Sequence, residues 1–393
     1  MDYDFSAEHV RFRAEVRAFL AETLTPEFWQ RHRERGGGGS SPEFSRAAAE
    51  RGWLAIAWPK EYGGRGLGLT EQMIYMEEMA YAGAPMEHHR RAVQQVGPSI
   101  MLYGSEELKR EFLPRIASGE VSFAMGLSEP DAGSDLASAS TRAVRSGDDW
   151  LVTGRKRFTS GAHFSDYLWA VTRTDPDAPK HRGISILIVP LHAAGVRIVP
   201  LIDLQGRHHF NEVFLDDVRV PARNLVGEEN RGWYVNAATM DFERSGIARY
   251  AFLRRTVDRA VDDLQSLPLS GHQSGGFEAQ RERIAASAIR AEVGKILSHR
   301  VTALQSAGKL PNYEVSIAKL TVTETIQQVC NAGLNLNGMR GLLVEDAVEN
   351  DEGSPELEWG ALYVDAIRHT IGQGAAEIQR NVVANRGLGM PRG

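Results

Sequence analysis

The strongest constraint on the fold is a change of hydrophobic period, twice, along the 393-residue chain. Residues 1 to about 120 carry apolar side chains near helical spacing, as in Phe5, Val10, Phe12, Val16, Phe19 and Leu20, with Glu and Arg between them. From about 121 to 230 the runs become short, β-branched and aromatic: Trp150-Leu151-Val152, Tyr167-Leu168-Trp169-Ala170-Val171, Ile184-Ser185-Ile186-Leu187-Ile188-Val189 and Val213-Phe214-Leu215. Turn signals such as Ser146-Gly147-Asp148-Asp149 and Thr174-Asp175-Pro176-Asp177 separate them. Strands so closely spaced, with no helical pattern between them, favour an antiparallel sheet or barrel over a parallel βαβ sheet.

From about 231 the helical period returns in four segments, near 232–265, 277–306, 312–337 and 356–386. The first carries Ile247, Tyr250, Leu253, Val257, Val261 and Leu264 near one face, and the second Ile289, Val293, Ile296 and Leu304. Gly387, Gly389 and Pro391 stop the last. Four long antiparallel helices joined by loops describe an up-down bundle. The expectation is an α+β, mainly α chain: an N-terminal helical domain at 1–120, a middle antiparallel β domain at 121–230 and a C-terminal four-helix bundle at 231–393.

Composition narrows the function classes. The balance of 45 Lys+Arg against 51 Asp+Glu is mildly acidic, with no block of like charge, which argues against a nucleic-acid partner. No run of about 18 apolar residues exists to span a membrane. Met1-Asp2-Tyr3-Asp4 opens without the apolar stretch of a secretory signal. Cys330 is the single cysteine, so no internal disulfide can form, and a reducing, cytoplasmic location is expected.

Common cofactor and catalytic motifs are missing. The run Gly63-Gly64-Arg65-Gly66-Leu67-Gly68 has the wrong spacing for a dinucleotide fingerprint, and there is no P-loop, H-E-x-x-H, C-x-x-C or G-x-S-x-G. Adjacent His88-His89 and His208-His209 diverge on a helix or strand, so they read as surface or hydrogen-bonded histidines rather than metal ligands. A redox enzyme built on this chain needs another way to hold its cofactor.

The segment Ser122–Ala143 reads SFAMGLSEPDAGSDLASASTRA. It resembles the signature of the acyl-CoA dehydrogenase family, in which a Ser/Thr-Glu-Pro turn precedes Gly-Ser-Asp. Gly52-Trp53 through Pro59-Lys60-Glu61-Tyr62-Gly63-Gly64, Tyr103–Lys109 (YGSEELK), Gly154–Ser160 (GRKRFTS), Asp216–Pro221 (DDVRVP) and Glu377-Ile378-Gln379-Arg380 are similar to further family motifs, in family order. The resemblance covers essentially the whole chain. It implies the same three-part architecture, FAD as cofactor, a CoA-thioester substrate, an electron-transfer flavoprotein as acceptor, and homo- or hetero-oligomers that complete the flavin site across subunits.

The implied reaction removes two hydrogens from an acyl thioester: a base takes the α proton while the β hydrogen leaves as hydride to the flavin. The weakly acidic α carbon needs hydrogen bonds to the thioester carbonyl, and a base desolvated enough to work near the operating pH. The resemblance places Met125, Leu127, Ser128, Gly133, Ser134, Phe158, Ser160, Ala375 and Glu377 at the cofactor, and Ser134, Asp241 and Arg244 at the substrate. Gly133 would let backbone approach closely. Phe158 stands where the family usually has Trp, keeping the ring without its N–H. By itself the Ser-Glu-Pro segment could be an ordinary turn, and Phe158 plain core.

The base is the open question. Where many members carry a catalytic Glu, this chain has Gln373, whose amide cannot accept the proton but whose backbone N–H can still serve the thioester carbonyl. A second family solution places the base on the first helix of the bundle, and Glu243 in Met240-Asp241-Phe242-Glu243-Arg244 falls at that position. Glu243 could instead be a solvated helix carboxylate, its i+4 neighbour being Ile247, with the base lost or supplied by another carboxylate. Two further departures bear on the inter-subunit half of the FAD site. Gly275–Arg281 (GGFEAQR) lacks the family's Arg-x-x-Phe-Gly, and Leu334–Gly338 (LNLNG) replaces Gln-x-x-Gly-Gly. A dehydrogenase, a non-catalytic or half-site subunit of a hetero-oligomer, and a same-fold flavin oxidase or oxygenase all remain open. Straight, branched and steroid side-chain thioesters are equally compatible.

Overall fold

The structure is a computed structural model and describes residues 5–241, 246–267, 275–343, 348–349, 355–356 and 358–391. In chain order the helices are α1 Ala7–Thr23, α2 Pro26–Glu34, α3 Pro42–Glu50, α4 Leu69–Tyr81, α5 Glu87–Arg91, α6 Gly97–Tyr103 and α7 Glu106–Ala117. The strands follow: β1 Phe123–Gly126, β2 Arg142–Ser146, β3 Asp149–Lys156, β4 Tyr167–Arg173, β5 Ile184–Pro190, β6 Val196–Ile202, β7 His208–Pro221 and β8 Leu225–Val226. Then come α8 Gly232–Asp241, α9 Ile247–Ser266, α10 Gly275–Ser306, α11 Tyr313–Leu336, α12 Trp359–His369 and α13 Ala376–Val382. The backbone groups into two compact units. One is Met1–Gly37, Gly68–Ala84 and Arg244–Gly393; the other is Gly38–Leu67 and Pro85–Glu243.

The second unit is built on one sheet in the order β6-β7-β3-β2-β4-β5-β8. Its ladders are antiparallel, with Trp169 opposite Ile188 on β4 and β5, and Leu151 opposite Arg219 on β3 and β7. Trp150, Val152, Leu168, Ala170, Leu187, Val189, Val213 and Val218 fill its core. Strands β4 and β5 are buried on both faces, which is why they read as unbroken apolar runs. The sheet is not wholly antiparallel, however: β1 runs parallel to β4, with Phe123 to Gly126 facing Tyr167 to Ala170, and β2 meets β4 in parallel at Arg142 and Arg173. The Asp166 carboxylate sets this register by accepting both the amide N–H and the hydroxyl of Ser122, each at 2.8 Å.

In the first unit, α1 opens on Ser6, whose hydroxyl accepts from the His9 N–H at 3.3 Å. Arg13 and Arg17 of α1 then bond Glu77 and Glu78 of α4 at 2.9 and 2.8 Å. Helices α9, α10, α11 and α12 pack on one another as the bundle. The periodicity predicts one helix over 232–265, but it is divided into α8 and α9. Gly246 is left-handed, with φ 68°, a conformation in which no helix continues. The segment 356–386 is likewise broken, because α12 ends at His369 and α13 begins only at Ala376. On α10 the residues that carried the helical period do not face the core: Ile289, Val293 and Ile296 are exposed, whereas Ile284, Ala291 and Val301 are buried.

Candidate functional site

In the second unit the Ser-Glu-Pro turn leaves β1 at Gly126 and closes on itself through Glu129 N–H to Ala132 O at 2.9 Å. The Glu129 side chain turns inward. One oxygen accepts from Lys156 Nζ at 2.6 Å and from the Thr141 N–H at 2.9 Å; the other accepts from the N–H and hydroxyl of Ser140 at 2.6 and 2.8 Å. Lys156 ends β3, is fully buried, and also donates to Val171 O at 2.6 Å and Leu127 O at 3.4 Å. Burial would raise the Glu129 carboxyl, but the adjacent ammonium and the donated hydrogen bonds hold it down to about 2. The turn that carries Leu127 and Ser128 is therefore fastened from below by a charged pair.

The turn is also tied to the strand end that carries Phe158 and Ser160. The Arg157 N–H donates to Ser128 O at 2.8 Å, and Thr159 exchanges backbone bonds with Asn211 at 2.9 and 3.1 Å. Between these anchors Phe158 takes a left-handed backbone, φ 55°, which costs a non-glycine residue of order 1 kcal/mol. Its ring is not core: it is 58% exposed, edge-on to Phe210, with the Arg157 guanidinium 5.1 Å from its centre. Such strain persists only where the surrounding bonds impose it.

Among the described residues, the hydroxyls of Ser128, Ser134 and Ser160 bond no other residue of the chain. A side chain added at Gly133 would meet nothing within 4 Å, so the chain's own packing does not require glycine there. Thr159, one residue from the exposed ring, has a buried hydroxyl with no partner. Neutral hydroxyl and amide donors beside a projecting aromatic ring fit a flat heteroaromatic group such as a flavin. Met125 is half-buried on β1.

In the first unit the loop between α12 and α13 carries Gln373. Gln373 and Gly374 are both left-handed, with φ 57° and 91°, and the Ala376 N–H closes the loop onto Thr370 O at 2.8 Å. Helix α11 holds this loop. Lys319 Nζ donates to Gly372 O at 2.8 Å, to Gln373 O at 3.4 Å and to Gly374 O. Ser316 donates to Gln379 Oε1 at 2.7 Å, and Gln327 donates to Thr370 Oγ1 at 3.0 Å. Ala375 caps α13, and Glu377 is exposed in its first turn. Burial, with Arg249 adding repulsion, pushes the Lys319 ammonium down to about 8, against the pull of Glu377.

The remaining expected site residues divide simply. The backbone of Asp241 closes α8, while Glu243 and Arg244 lie outside the described residues. His89 is buried and bonds Ser45 Oγ at 2.8 Å, and His208 bonds Asn211 Oδ1 at 2.7 Å. Among the described residues no cluster of His, Cys, Asp or Glu could hold a metal ion, and no helix is long and apolar enough to cross a membrane. Lys156 and Lys319 went unread in the sequence as holders of the two turns. Each had a signal, because a lysine at an inward strand position or on the apolar face of a helix needs a buried partner.

The chain matches three family domains in succession: acyl-CoA dehydrogenase N-terminal over residues 6–120, middle over 124–218 and C-terminal over 230–388. It is similar to acyl-CoA dehydrogenase FadE29 of Mycobacterium tuberculosis, at 35% identity covering 100% of this chain and 99% of the relative. Among solved structures it is similar to the Tcur3481-Tcur3483 steroid ACAD, at 34% identity and a TM-score of 0.87, with 100% of each chain covered. It is also similar to the ChsE4-ChsE5 complex of Mycobacterium tuberculosis, at 33% identity and a TM-score of 0.85, again with 100% of each chain covered. With matching domains from residue 6 to residue 388, the chain belongs to the acyl-CoA dehydrogenase family of FAD-dependent oxidoreductases.

Proposed function

We propose that this chain desaturates an acyl-CoA to the trans-2-enoyl thioester and passes the electrons to an electron-transfer flavoprotein, working in the cytoplasm within a dimer or tetramer. The division into domains at 1–120, 121–230 and 231–393 belongs to the same reading. Bound FAD supplies the acceptor for the β hydrogen. Leu127, Ser128, Gly133, Ser134, Phe158 and Ser160 would hold it, with Met125, Ala375 and Glu377 contributing, and Ser134, Asp241 and Arg244 would bind substrate. Gln373 would donate its backbone N–H to the thioester carbonyl, and Glu243 would accept the α proton. The observation that carries this reading is the strained, exposed Phe158 beside the anchored Ser-Glu-Pro turn. That arrangement spends stability to present a flat ring next to unpaired hydroxyls. Because the similar Tcur3481-Tcur3483 protein is described as a steroid ACAD, a steroid side-chain thioester is the favoured substrate class.

The test is anaerobic bleaching of the purified yellow protein by octanoyl-, isobutyryl- and lithocholyl-CoA. Bleaching by at least one is expected. Glu243→Gln should keep its FAD and lose roughly 10³-fold in turnover, within the range for removal of a general base; normal turnover would remove Glu243 from the role.

A second reading has its own support: Gln373 stands where a carboxylate is usual, and Gly275–Arg281 lacks the family arginine. The two similar solved structures named above carry the names of pairs of proteins. On this reading the chain is a half-site subunit. It would purify colourless and gain bound FAD only after mixing with a paralogue.

A further inference from the structure

We propose that Lys319 is a positioning residue that orients and polarises the Gln373 amide toward the thioester carbonyl. The inference rests on the dehydrogenase reading and adds to it a residue that touches neither substrate nor cofactor.

The argument is geometric. Gly372 C=O and Gln373 N–H are the two ends of one peptide unit, and in a trans peptide they point in opposite directions. A buried ammonium 2.8 Å from that oxygen fixes the plane of the unit. A charge-assisted bond at the oxygen also draws electron density along the amide and makes its N–H a stronger donor. Lys319 repeats the contact at the next two carbonyls, those of Gln373 and Gly374. All three belong to the loop rather than to the last turn of α12, which ends at His369, so Lys319 is not a helix cap.

A plain structural anchor would be built differently. Among the described residues no carboxylate lies within 4 Å of Lys319, and the groups it bonds are backbone carbonyls. Burying a cation in that way is unfavourable compared with an apolar side chain. The charge is useful where an anionic carbonyl develops, on the far side of the peptide it polarises. The charged groups acting on Lys319 are Arg249 of α9 and Glu377 of α13.

The experiment uses the FAD-loaded protein and the member of the octanoyl-, isobutyryl- and lithocholyl-CoA set that bleaches it fastest, labelled isotopically at the carbonyl carbon. Vibrational difference spectra then read the bound carbonyl stretch. The unaltered protein should lower that frequency relative to free thioester. Lys319→Met should lose most of the lowering and roughly tenfold in kcat, with KM within about twofold and FAD content unchanged. Lys319→Arg should keep the frequency shift. It should also abolish the fall in kcat expected of the unaltered protein above about pH 8, because a guanidinium does not deprotonate there. If Lys319→Met folds and leaves both frequency and kcat unchanged, the inference is overturned and the dehydrogenase reading stands. If Lys319→Met does not fold, persistence of the alkaline fall in Lys319→Arg overturns the inference. If no thioester bleaches the unaltered protein, the dehydrogenase reading falls first and the inference with it.

Discussion

Lys156 and Lys319 are both buried ammonium groups that hold a backbone turn, yet they are neutralised in opposite ways. Lys156 meets the Glu129 carboxylate at 2.6 Å and, with it, forms a charged pair at the base of the Ser-Glu-Pro turn. Among the described residues Lys319 bonds only carbonyl oxygens. In the first arrangement the ammonium holds the Glu129 carboxyl down to about 2, while burial lowers the Lys156 ammonium and the carboxylate beside it pulls the other way. The second lets the ammonium titrate near pH 8. The turn that would hold cofactor is thus fixed by a carboxylate–ammonium pair, whereas the loop that would serve the reacting carbonyl is held by an ammonium bonded to backbone carbonyls.

The largest predicted effect breaks the buried pair. Lys156→Met leaves a buried carboxylate without its ammonium and should destabilise the protein by about 3–5 kcal/mol in urea unfolding. Adding Glu129→Leu should return much of that loss, since the two apolar residues no longer bury a charge. The pair also predicts a direction with pH. Glu129 is held at about 2, below its ordinary 4.5, so its contribution is complete above pH 4.5 and is lost as pH falls toward 2. The double variant should therefore show a shallower acid loss than the unaltered protein, by roughly 3 kcal/mol over that span. Equal acid slopes in the two proteins would mean that the pair does not hold the turn.

These elements were legible in the sequence to different degrees. Strands β3, β4, β5 and β7 were readable because local patterning and burial agree there. The division at Gly246 was not, because the apolar period runs straight through a glycine that only the folded backbone shows to be left-handed. The face of α10 bearing Ile289, Val293 and Ile296 was misread because periodicity reports an apolar stripe without saying what covers it. At the candidate site, the motifs marked the segments around residues 127–134, 158–160 and 373–377. What they could not supply was the pairing of Glu129 with Lys156, 27 residues apart and joined only through the sheet. Lys319 and the carbonyls of residues 372–374 are joined only by the packing of α11 against the α12–α13 loop, and no local pattern spans that distance.

A middle-sized effect contrasts the rigid turn with the strained residue beside it. Phe158→Asn places a residue that tolerates the left-handed region where φ is 55°. The apoprotein should be as stable as before, or more stable by up to about 1 kcal/mol, since strain of that order is relieved and the lost ring was largely exposed. Flavin affinity should fall about tenfold, because ring stacking is worth roughly 1–3 kcal/mol per aromatic contact. Calorimetric titration of apoprotein with FAD measures it. Undiminished affinity together with raised stability would make the strain at Phe158 purposeless and would undercut the cofactor assignment of the whole strand end.

The smallest effect is the most discriminating for the same strand end. Thr159 buries a hydroxyl that bonds nothing among the described residues, an arrangement that costs free energy unless something else accepts or donates to it. Thr159→Val keeps the shape and removes the polar atom, so the apoprotein should gain up to about 1 kcal/mol in urea unfolding. Repeating the measurement with FAD at saturation separates two origins for the orphan. If the hydroxyl is completed by the cofactor, the gain disappears or reverses in the loaded protein, because the variant then loses a hydrogen bond that the parent makes. If the gain is the same with and without FAD, the orphan belongs to packing under the strand.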